Sequence, residues 1–320
     1  MSGPLSGLRV IDLCSVVSGP LAATILADQG ADVIKVESLR GDQMRRGRDG
    51  GGFAPTFISC NRGKRSIALN LKDEQGKAVL SALLGDADVL LQNFRPGAMG
   101  RLGFGAEEVL KAHPSLIYAS ISGVGDSGPY AGKRIYDPMI QSLSGLADIQ
   151  ADTHTGRPRM TRTIIVDKTT AIYAAQAITA ALVRRGVTGL GQHVRISMLD
   201  TMVSLLWPEG MSSLTLKSEG DEVPPTSHHD MIFETSNGYI TVGTVSDAEW
   251  RGLCGALGRP EWIDDARFST NALRNKNREE RLNLISQILR TRTREEWVVA
   301  LDAADVPCMP VLRRREVLDD

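Results

Sequence analysis

The first 200 residues predict an α/β fold with an open, mostly parallel sheet. Short apolar runs alternate there with segments of helical spacing, and the chain opens with a strand, a helix and a second strand. Strands joined through a helix run parallel, because the crossover returns the chain to the same end of the sheet. Gly, at 32 of 320 residues, exceeds its usual ~7% and predicts many tight turns.

The predicted elements follow in chain order. LRVIDLCS predicts the first strand, GPLAATILADQG predicts a helix that begins near Pro20 and ends at Gly30, and ADVIKVES predicts the second strand. A strand, a helix and two further strands come next, predicted by ADVLLQNF, GAEEVLKAH, LIYASIS and HVRISMLD. This succession is typical of βαβ units.

The segment TRTIIVDKTTAIYAAQAI, from 161 to 178, predicts a short buried strand and then a helix, with Asp167 at the junction. The helix is expected to close at Gly186, and its apolar residues recur at helical spacing, at Ile172, Ala175, Ile178 and Leu182. Asp167 has two interpretations that do not exclude each other. It can cap the helix. It can also be a ligand-binding carboxylate at the carboxyl end of a strand, kept ionised and nucleophilic by the helix dipole.

The chain is expected to form two domains, since 320 residues exceed the usual size of one. We predict a large domain over 1–205, a linker or loop rich in Pro, Gly and Ser over 206–230, and a small α+β domain over 231–320. In the small domain GYITVGTV predicts a strand, and DAEWRGLCGALG and NREERLNLISQILRT predict amphipathic helices.

Composition and charge exclude several classes of function. A net charge of -1 argues against nucleic acid as a partner. No apolar run reaches the ~18 residues that span a membrane, and the first residues do not resemble a signal peptide. The four cysteines are far apart and form no C-x-x-C pair, so we expect neither a disulfide framework nor a zinc site, but a cytosolic protein with reduced thiols.

Two further motifs carry weak signals. GVGDSG, at 123–128, fits the G-x-G-x-x-G pattern of dinucleotide-binding turns, but no helix start follows it to hold a pyrophosphate. A glycine-rich loop beside a site is the preferred interpretation. His228 and His229 are adjacent and have no other ligand at metal-binding spacing, so two solvated histidines are favoured over a metal site.

Seven stretches together resemble the family III CoA-transferases, a group that includes α-methylacyl-CoA racemases and carnitine and formyl-CoA transferases. They span nearly the whole chain in the order of that family: GLRVIDLCSVVSGPLAATILADQGADVIKVES, GDQMR, NRGKRSIALNLK, ADVLLQNFRPGAMGRLGF, ISGVGDSGPYAGKRIYDPMIQSLSGL, DKTTAIYAAQAITAALVRRGVTGLGQHVRISMLD and GYITVGTVSDAEWRGLCGALGRPEW. The resemblance implies a Rossmann-like large domain, a small domain and a homodimer of two interlocked ring-shaped chains. Family members usually continue beyond VPCMPVLRRREVLDD with a segment that returns to the large domain, so that segment is expected to be missing here.

The resemblance also implies a site for acyl-CoA and a carboxylic acid, with no metal. Asp167 corresponds to the catalytic aspartate, which carries the acyl group and then CoA covalently. Tyr136 is expected near the substrate, and backbone N–H groups near Gly123 and Gly125 are candidates for oxyanion stabilisation. Val16 is expected near the adenine end of CoA. The other implied CoA contacts are Arg40, Leu71, Asn93, Phe94, Arg101 and Arg134, whose arginines suit phosphates.

Two alternatives remain open at this point. A racemase of 2-methylacyl-CoA needs two acid/base groups, and racemases have a histidine where this chain has Tyr136 and a glutamate where it has Ser246. Both differences favour a transferase. A catalytically silent CoA-binding protein is the other alternative. The identity of the acid is expected to depend on residues in the 206–230 loop and around Met44.

Overall fold

The computed structural model describes residues 3–46, 52–152, 155–215 and 231–318. These residues belong to two compact units, Met1–Thr226 and Ser227–Asp320. Most of the predicted 206–230 loop, with His228 and His229, lies outside the described residues. No helix in the described ranges is long and apolar enough to cross a membrane.

The first unit is built on a six-stranded sheet in which all strands are parallel. Its order is β3-β2-β1-β4-β5-β6, the order of a doubly wound Rossmann-type sheet. This confirms the predicted fold class. The strands are β1 (Arg9–Asp12), β2 (Asp32–Glu37), β3 (Arg65–Ala68), β4 (Val89–Gln92), β5 (Ile117–Ser122) and β6 (Gln192–Ser197).

Helices cover both faces of this sheet. They are α1 (Ser18–Asp28), α2 (Pro55–Asn61), α3 (Glu74–Gly85), α4 (Ala98–Arg101), α5 (Ala106–Ala112), α6 (Asp137–Leu143), α7 (Leu146–Ile149), α8 (Ile165–Thr188), α9 (Met198–Leu206) and α10 (Ser212–Thr215). One apolar core joins the sheet to α1 and α8, for example through Leu26 and Ile178. The other joins the opposite face to α3 and α5, for example through Leu80 and Val109.

The strand predicted before Asp167 is wrong. Residues 161–164 are irregular, and α8 already begins at Ile165. The β-branched run has strand propensity, but Asp137 supplies the acceptors that start a helix there, so tertiary contacts override propensity. Ile172 is 60% exposed rather than buried.

The far end of α8 also differs from the prediction. Gly186 lies inside the helix, which ends at Gly189. Gly189 has φ 72°, and its N–H donates to the carbonyl of Arg185. Glycine adopts this left-handed conformation without strain, which is why the helix closes there.

The described residues of the second unit form a three-stranded antiparallel sheet of order β7-β8-β9 and four α-helices. Its strand prediction at GYITVGTV and its two helix predictions are confirmed, and Ser246 caps α11 through a capping box with Glu249. Trp250, Phe268 and Trp297 are buried in its core. The elements are β7 (Ile232–Glu234), β8 (Tyr239–Val242), α11 (Asp247–Ala256), α12 (Asn271–Lys276), α13 (Arg278–Leu289), α14 (Arg294–Asp302) and β9 (Cys308–Pro310).

Candidate active site

A cavity of about 310 Å³ opens at the carboxyl ends of β1, β4 and β5. The chain leaves β1 towards one side of the sheet and β4 towards the other, and open α/β sheets bind ligands at such a switch point. Its described lining comprises Ser15, Val16, Ser18, Gln43, Asn93, Phe94, Arg95, Pro96, Ile121, Ser122, Gly123, Val124, Gly125, Ala131, Lys133, Arg134, Ile135, Tyr136, Asp167 and Met198.

The loop between β1 and α1 forms one wall in a strained conformation. Val16 has φ 71°, which is costly for a β-branched residue and persists only where its surroundings enforce it. The side chain of Asn93 supplies that support. Its Oδ1 accepts from the N–H of Ser15 at 2.9 Å, and its Nδ2 donates to the carbonyl of Ser15 at 2.8 Å. Asn93 therefore holds the loop as well as lining the cavity.

Asp167 lies in the first turn of α8 and does not cap that helix. The cap comes from Asp137 at the start of α6, which is 3% exposed. Its Oδ2 accepts from the backbone N–H of Val166 at 2.9 Å and of Asp167 at 3.2 Å, and its Oδ1 accepts from Nε2 of Gln141 at 2.6 Å. Asp137 thus satisfies two N–H groups that a helix start leaves without a partner.

The carboxylate of Asp167 meets the start of a different helix, α1. Ser18, the first residue of α1, faces it, and its hydroxyl and backbone N–H lower the pKa of Asp167. Burial and the nearby charge of Asp137 nevertheless raise the pKa of Asp167 to about 6, against the lowering effect of Ser18. Burial therefore works against the ionised form that the helix dipole was expected to favour.

The glycine-rich loop after β5 borders the cavity, as its preferred interpretation predicts. Gly123 packs against Ile135 so closely that a Cβ would lie 2.5 Å from the Ile135 side chain. The N–H of Gly125 donates to Oγ of Ser122 at 3.0 Å, so this candidate oxyanion donor is already engaged. No helix begins until Asp137, so the loop lacks the helix N-terminus of a dinucleotide-binding turn.

Three cationic side chains are part of the cavity lining. They are Arg95, Lys133 and Arg134, and Tyr136 beside them is 53% exposed. None of the described lining residues is a histidine. The described part of the chain also contains no group of three or more His, Cys, Asp or Glu side chains that could hold a metal ion.

Three residues of the implied CoA set lie outside this lining. Arg40 is exposed in the turn after β2, Leu71 follows β3, and Arg101 is the last residue of α4, beyond β4. Val16 lines the same cavity as Asp167, whereas the resemblance puts it near the adenine end of CoA. Asn93, Phe94, Arg134, Tyr136, Gly123 and Gly125 all line the cavity with Asp167.

Sequence reasoning missed several residues of the site. Asp137 accepts a hydrogen bond from the backbone of Asp167 and Ser18 faces its carboxylate, although both residues are far from Asp167 in the sequence. The Asp-Pro pair at 137–138 is a signal for the start of a helix, which is α6. Nothing in the sequence indicates that the side chain of Asp137 caps α8 instead. Lys133 adjoins Arg134 in the sequence, and Arg95 follows the predicted strand end at Phe94.

Buried ion pairs form a scaffold on the other side of β1. Asp12 pairs with Nζ of Lys64 at 2.8 Å, and Lys35 pairs with Asp42 at 3.0 Å and donates to the carbonyl of Cys14 at 2.7 Å. Burial raises the pKa of Asp12, but Lys64 and Lys35 outweigh it and hold the pKa below its ordinary value. Burial also raises the pKa of Glu37, but hydrogen bonds from Arg45 and Ser66 outweigh it and lower the pKa to about 2.

Comparison with known proteins identifies this architecture. The family model for CoA-transferase family III matches residues 5–320. An acetyl-CoA:oxalate CoA-transferase of Acetobacter aceti is 36% identical over 97% of this chain and 81% of that protein. A succinyl-CoA:glutarate CoA-transferase of Mus musculus is 32% identical over 99% of this chain and 74% of that protein.

A solved structure shows the same fold. A CAIB/BAIF family protein from Brucella suis superposes with a TM-score of 0.88 at 33% identity, covering 100% of this chain and 87% of that one. The family match over nearly the whole chain agrees with the Rossmann-type sheet and with the cavity at its switch point. The chain therefore belongs to CoA-transferase family III and is an enzyme of the acyl-CoA:carboxylate CoA-transferase type.

Proposed function

We propose that the protein moves CoA from an acyl-CoA donor to a small carboxylic acid through covalent intermediates on Asp167. The observation that carries the proposal is the position of this carboxylate. It lines a cavity at the switch point of the sheet together with Ser18, and the described residues give it no ion-pair partner. A partly buried acid without a cation is free to attack an electrophile.

The proposed chemistry conserves the thioester. A carboxylate oxygen of Asp167 attacks the donor carbonyl carbon, the C–S bond breaks, and a mixed anhydride and CoA thiolate form. The thiolate attacks the aspartyl carbonyl, releases the donor acid and leaves CoA bound as an enzyme thioester. The acceptor carboxylate attacks this thioester to give a second anhydride, and the thiolate then takes the acceptor acyl group and regenerates Asp167. No oxidant, reductant or net proton transfer is needed.

The ionisation of Asp167 suits this role. With a pKa of about 6 the carboxylate is mostly ionised at neutral pH. It is also a stronger nucleophile than a solvated aspartate, because nucleophilicity rises with basicity. The cations Arg95, Lys133 and Arg134 would stabilise negative charge on the reacting carbonyl oxygen or on CoA.

CoA would run along the carboxyl edge of the sheet. The implied contacts follow the strand order, with Leu71 after β3, Arg40 after β2, Val16 after β1, Asn93 after β4 and Gly123 after β5. Four strand spacings of ~4.8 Å give about 19 Å, which is a length suited to an extended cofactor arm. The thioester would lie at the β4–β5 end beside Asp167, and the nucleotide would lie towards β2 and β3.

Trapping tests the covalent step. We expect the protein, mixed with acyl-CoA and quenched, to carry CoA or an acyl group on the peptide that contains Asp167. Hydroxylamine should convert that adduct to an aspartyl hydroxamate, and Asp167→Ala should form none. Asp148→Asn, which changes an exposed aspartate outside the cavity lining, should label like the wild type. Full transferase activity in Asp167→Ala would refute the mechanism.

The racemase alternative makes a different prediction. The lining described for the cavity offers Asp167 and Tyr136 but no histidine, and Ser246 serves as a helix cap in the second unit. A transferase should therefore incorporate no deuterium at the α-carbon of 2-methylacyl-CoA in heavy water. Exchange without CoA transfer would favour the racemase. CoA binding in calorimetry without turnover of any acid would favour a silent binding protein.

The acceptor is proposed to be a short carboxylic acid. Relatives of this chain are named for oxalate and glutarate, both dicarboxylates, and the cavity carries three cations. A panel of oxalate, succinate, glutarate and their monocarboxylate counterparts, each with several acyl-CoA donors, tests this class. We expect the dicarboxylates to give the higher kcat/KM, and a preference for monocarboxylates would contradict the assignment.

A homodimer is the proposed assembly. Helix α8 leaves three apolar side chains largely exposed, Ile172 at 60%, Val183 at 72% and Val187 at 85%. Exposed apolar surface of this kind is typical of contacts between chains. Light scattering after gel filtration should give twice the mass of 34.6 kDa, and a monomer at all concentrations would contradict the proposal.

A further inference from the structure

Asp137 is far from Asp167 in the sequence but bonded to its backbone in the fold. Its buried carboxylate accepts from the N–H groups of Val166 and Asp167 and from the amide of Gln141. The residue at the N-cap position of α8, Ile164, provides no side-chain hydrogen bond. Asp137 therefore caps the N-terminus of α8 from a distant part of the chain, and it fixes the turn that carries Asp167.

A neutral acceptor would cap the helix equally well. Asn and Asp are comparable at N-cap positions, so capping alone does not require the charge of Asp137. Two carboxylates in one buried region repel each other, which favours the protonated form of one of them. After burial, the charge of Asp137 is the second cause that raises the pKa of Asp167.

Other groups around the carboxylate of Asp167 set the background for this effect. Helix α1 contributes the uncharged Ser18, and α2 contributes the buried thiol of Cys60, whose pKa burial raises. The charged and titratable groups that share the described cavity with Asp167 are Arg95, Lys133, Arg134 and Tyr136. Among the described groups, only Asp137 combines a buried negative charge with a hydrogen bond to Asp167 itself.

We propose that Asp137 is a positioning residue for the transfer reaction, which holds the first turn of α8 and, through its charge, sets the pH range in which Asp167 is nucleophilic. This inference rests on the proposed function of Asp167. It assigns two separable roles to one side chain. The cap fixes where the nucleophile points, and the charge fixes when it is ionised.

Asp137→Asn separates the two roles. Its Oδ1 can still accept from the N–H groups of Val166 and Asp167, so the cap is retained while the charge is lost. We expect the acid limb of the kcat/KM profile to move to lower pH, because Asp167 then ionises more readily. The plateau rate should fall by up to about tenfold, because a less basic carboxylate is a weaker nucleophile.

Two further variants complete the design. Asp137→Ala removes the cap as well, so both Tm and activity should fall, and activity should not recover at any pH. Gln141→Met removes the amide contact to Oδ1 and keeps the charge, which controls for the hydrogen bond that Asp137→Asn loses, because Nδ2 cannot accept from Nε2 of Gln141. It should lower Tm without moving the acid limb.

A titration independent of turnover decides the outcome. In protein labelled with ¹³C at the aspartate carboxyl carbons, the resonance absent from Asp167→Asn belongs to Asp167, and its titration midpoint should fall in Asp137→Asn. An unchanged midpoint would overturn the role of the charge, and full activity in Asp137→Ala would overturn the role of the cap. If Asp167→Ala retains transfer, the proposed function fails, but this midpoint still reports on Asp137.

Discussion

Acids on the two sides of β1 have pKa values that are shifted in opposite directions. Towards β2 and β3, Asp12 pairs with Lys64 and Glu37 pairs with Arg45, and both acids have a lowered pKa. Towards β4 and β5, Asp167 lies beside Ser18 and has no ion pair among the described residues, and its pKa rises to about 6. All three acids lie at or near the carboxyl ends of the strands of one sheet.

The difference separates scaffold from chemistry. An acid matched with a cation is stable as an ion and is a poor nucleophile, since its charge is already neutralised. An acid that is desolvated without a cation is costly to keep ionised and therefore reactive. The ion pairs towards β2 hold the loop that carries Val16 and Ser18, and the unpaired acid faces the cavity that this loop lines.

The largest expected effect is on activity at Asp167. Asp167→Ala should reduce kcat by at least about 10⁴-fold, as removal of a nucleophile commonly does. Its far-UV circular dichroism should match the wild type. Initial rates with a fixed acyl-CoA and acid measure the effect. A reduction below tenfold would place the chemistry on another group.

Removing a buried ion pair on the side of β2 and β3 should lower stability rather than activity. Lys64→Met leaves Asp12 buried and unpaired, which should lower the free energy of unfolding by about 3–5 kcal/mol in urea denaturation. The double variant Asp12→Asn/Lys64→Met removes both charges and should recover much of this loss. Lys77→Met, which disrupts an exposed pair with Glu74, is the control and should cost less than about 1 kcal/mol. A cost as small as the control's would contradict the scaffold role.

Asp167→Asn should make the protein more stable at neutral pH. The folded state holds the proton of Asp167 more tightly than the unfolded state, so ionisation costs stability as pH rises from 3.8 to about 6. Removing the charge should therefore raise the free energy of unfolding at pH 7 by about 1–3 kcal/mol. The gain should disappear below about pH 4, where Asp167 is protonated in both states.

Glu37→Gln should make the protein less stable at neutral pH, the opposite of the effect of Asp167→Asn. The pKa of Glu37 is lowered from 4.5 to about 2, so its contribution is present above pH 4.5 and is lost as pH falls towards 2. Its removal should lower Tm at pH 7 and have little effect at the acid end. Thermal melts of both variants across pH 3–8 test the pair, and shifts of the same sign would break the contrast between the two sides.

Sequence patterns predicted the frame of the molecule well. β1, β2, β4 and β5 lie on apolar runs that are buried in the sheet, which makes their signal strong. β3, with its largely exposed residues, was not predicted, because RSIA is too short and too polar to form an apolar run. Asp167 was recognised by its place at a helix start. Its partners Asp137 and Ser18 were not, because contacts across many residues leave no local pattern.

The smallest expected effect is that of Asn93, whose side chain supports the strained loop at Val16. Asn93→Ala removes two hydrogen bonds to the backbone of Ser15, which should cost about 1–2 kcal/mol of unfolding free energy and raise KM for acyl-CoA more than it lowers kcat. Asn275→Ala, an exposed helical asparagine in the second unit, serves as the control. Unchanged KM would mean that the strained loop does not shape the cavity.

Oxygen-18 tests the central claim most directly. When the acceptor acid carries ¹⁸O in its carboxylate, each productive cycle through an aspartyl anhydride leaves one of its oxygens on Asp167. We predict that mass spectrometry of the digested protein will show a gain of about 2 Da per incorporated oxygen, confined to the Asp167 peptide and dependent on acyl-CoA. Complete turnover of the labelled acid with no label in the protein would contradict the account, because the two substrates would then have reacted without Asp167 as a covalent carrier.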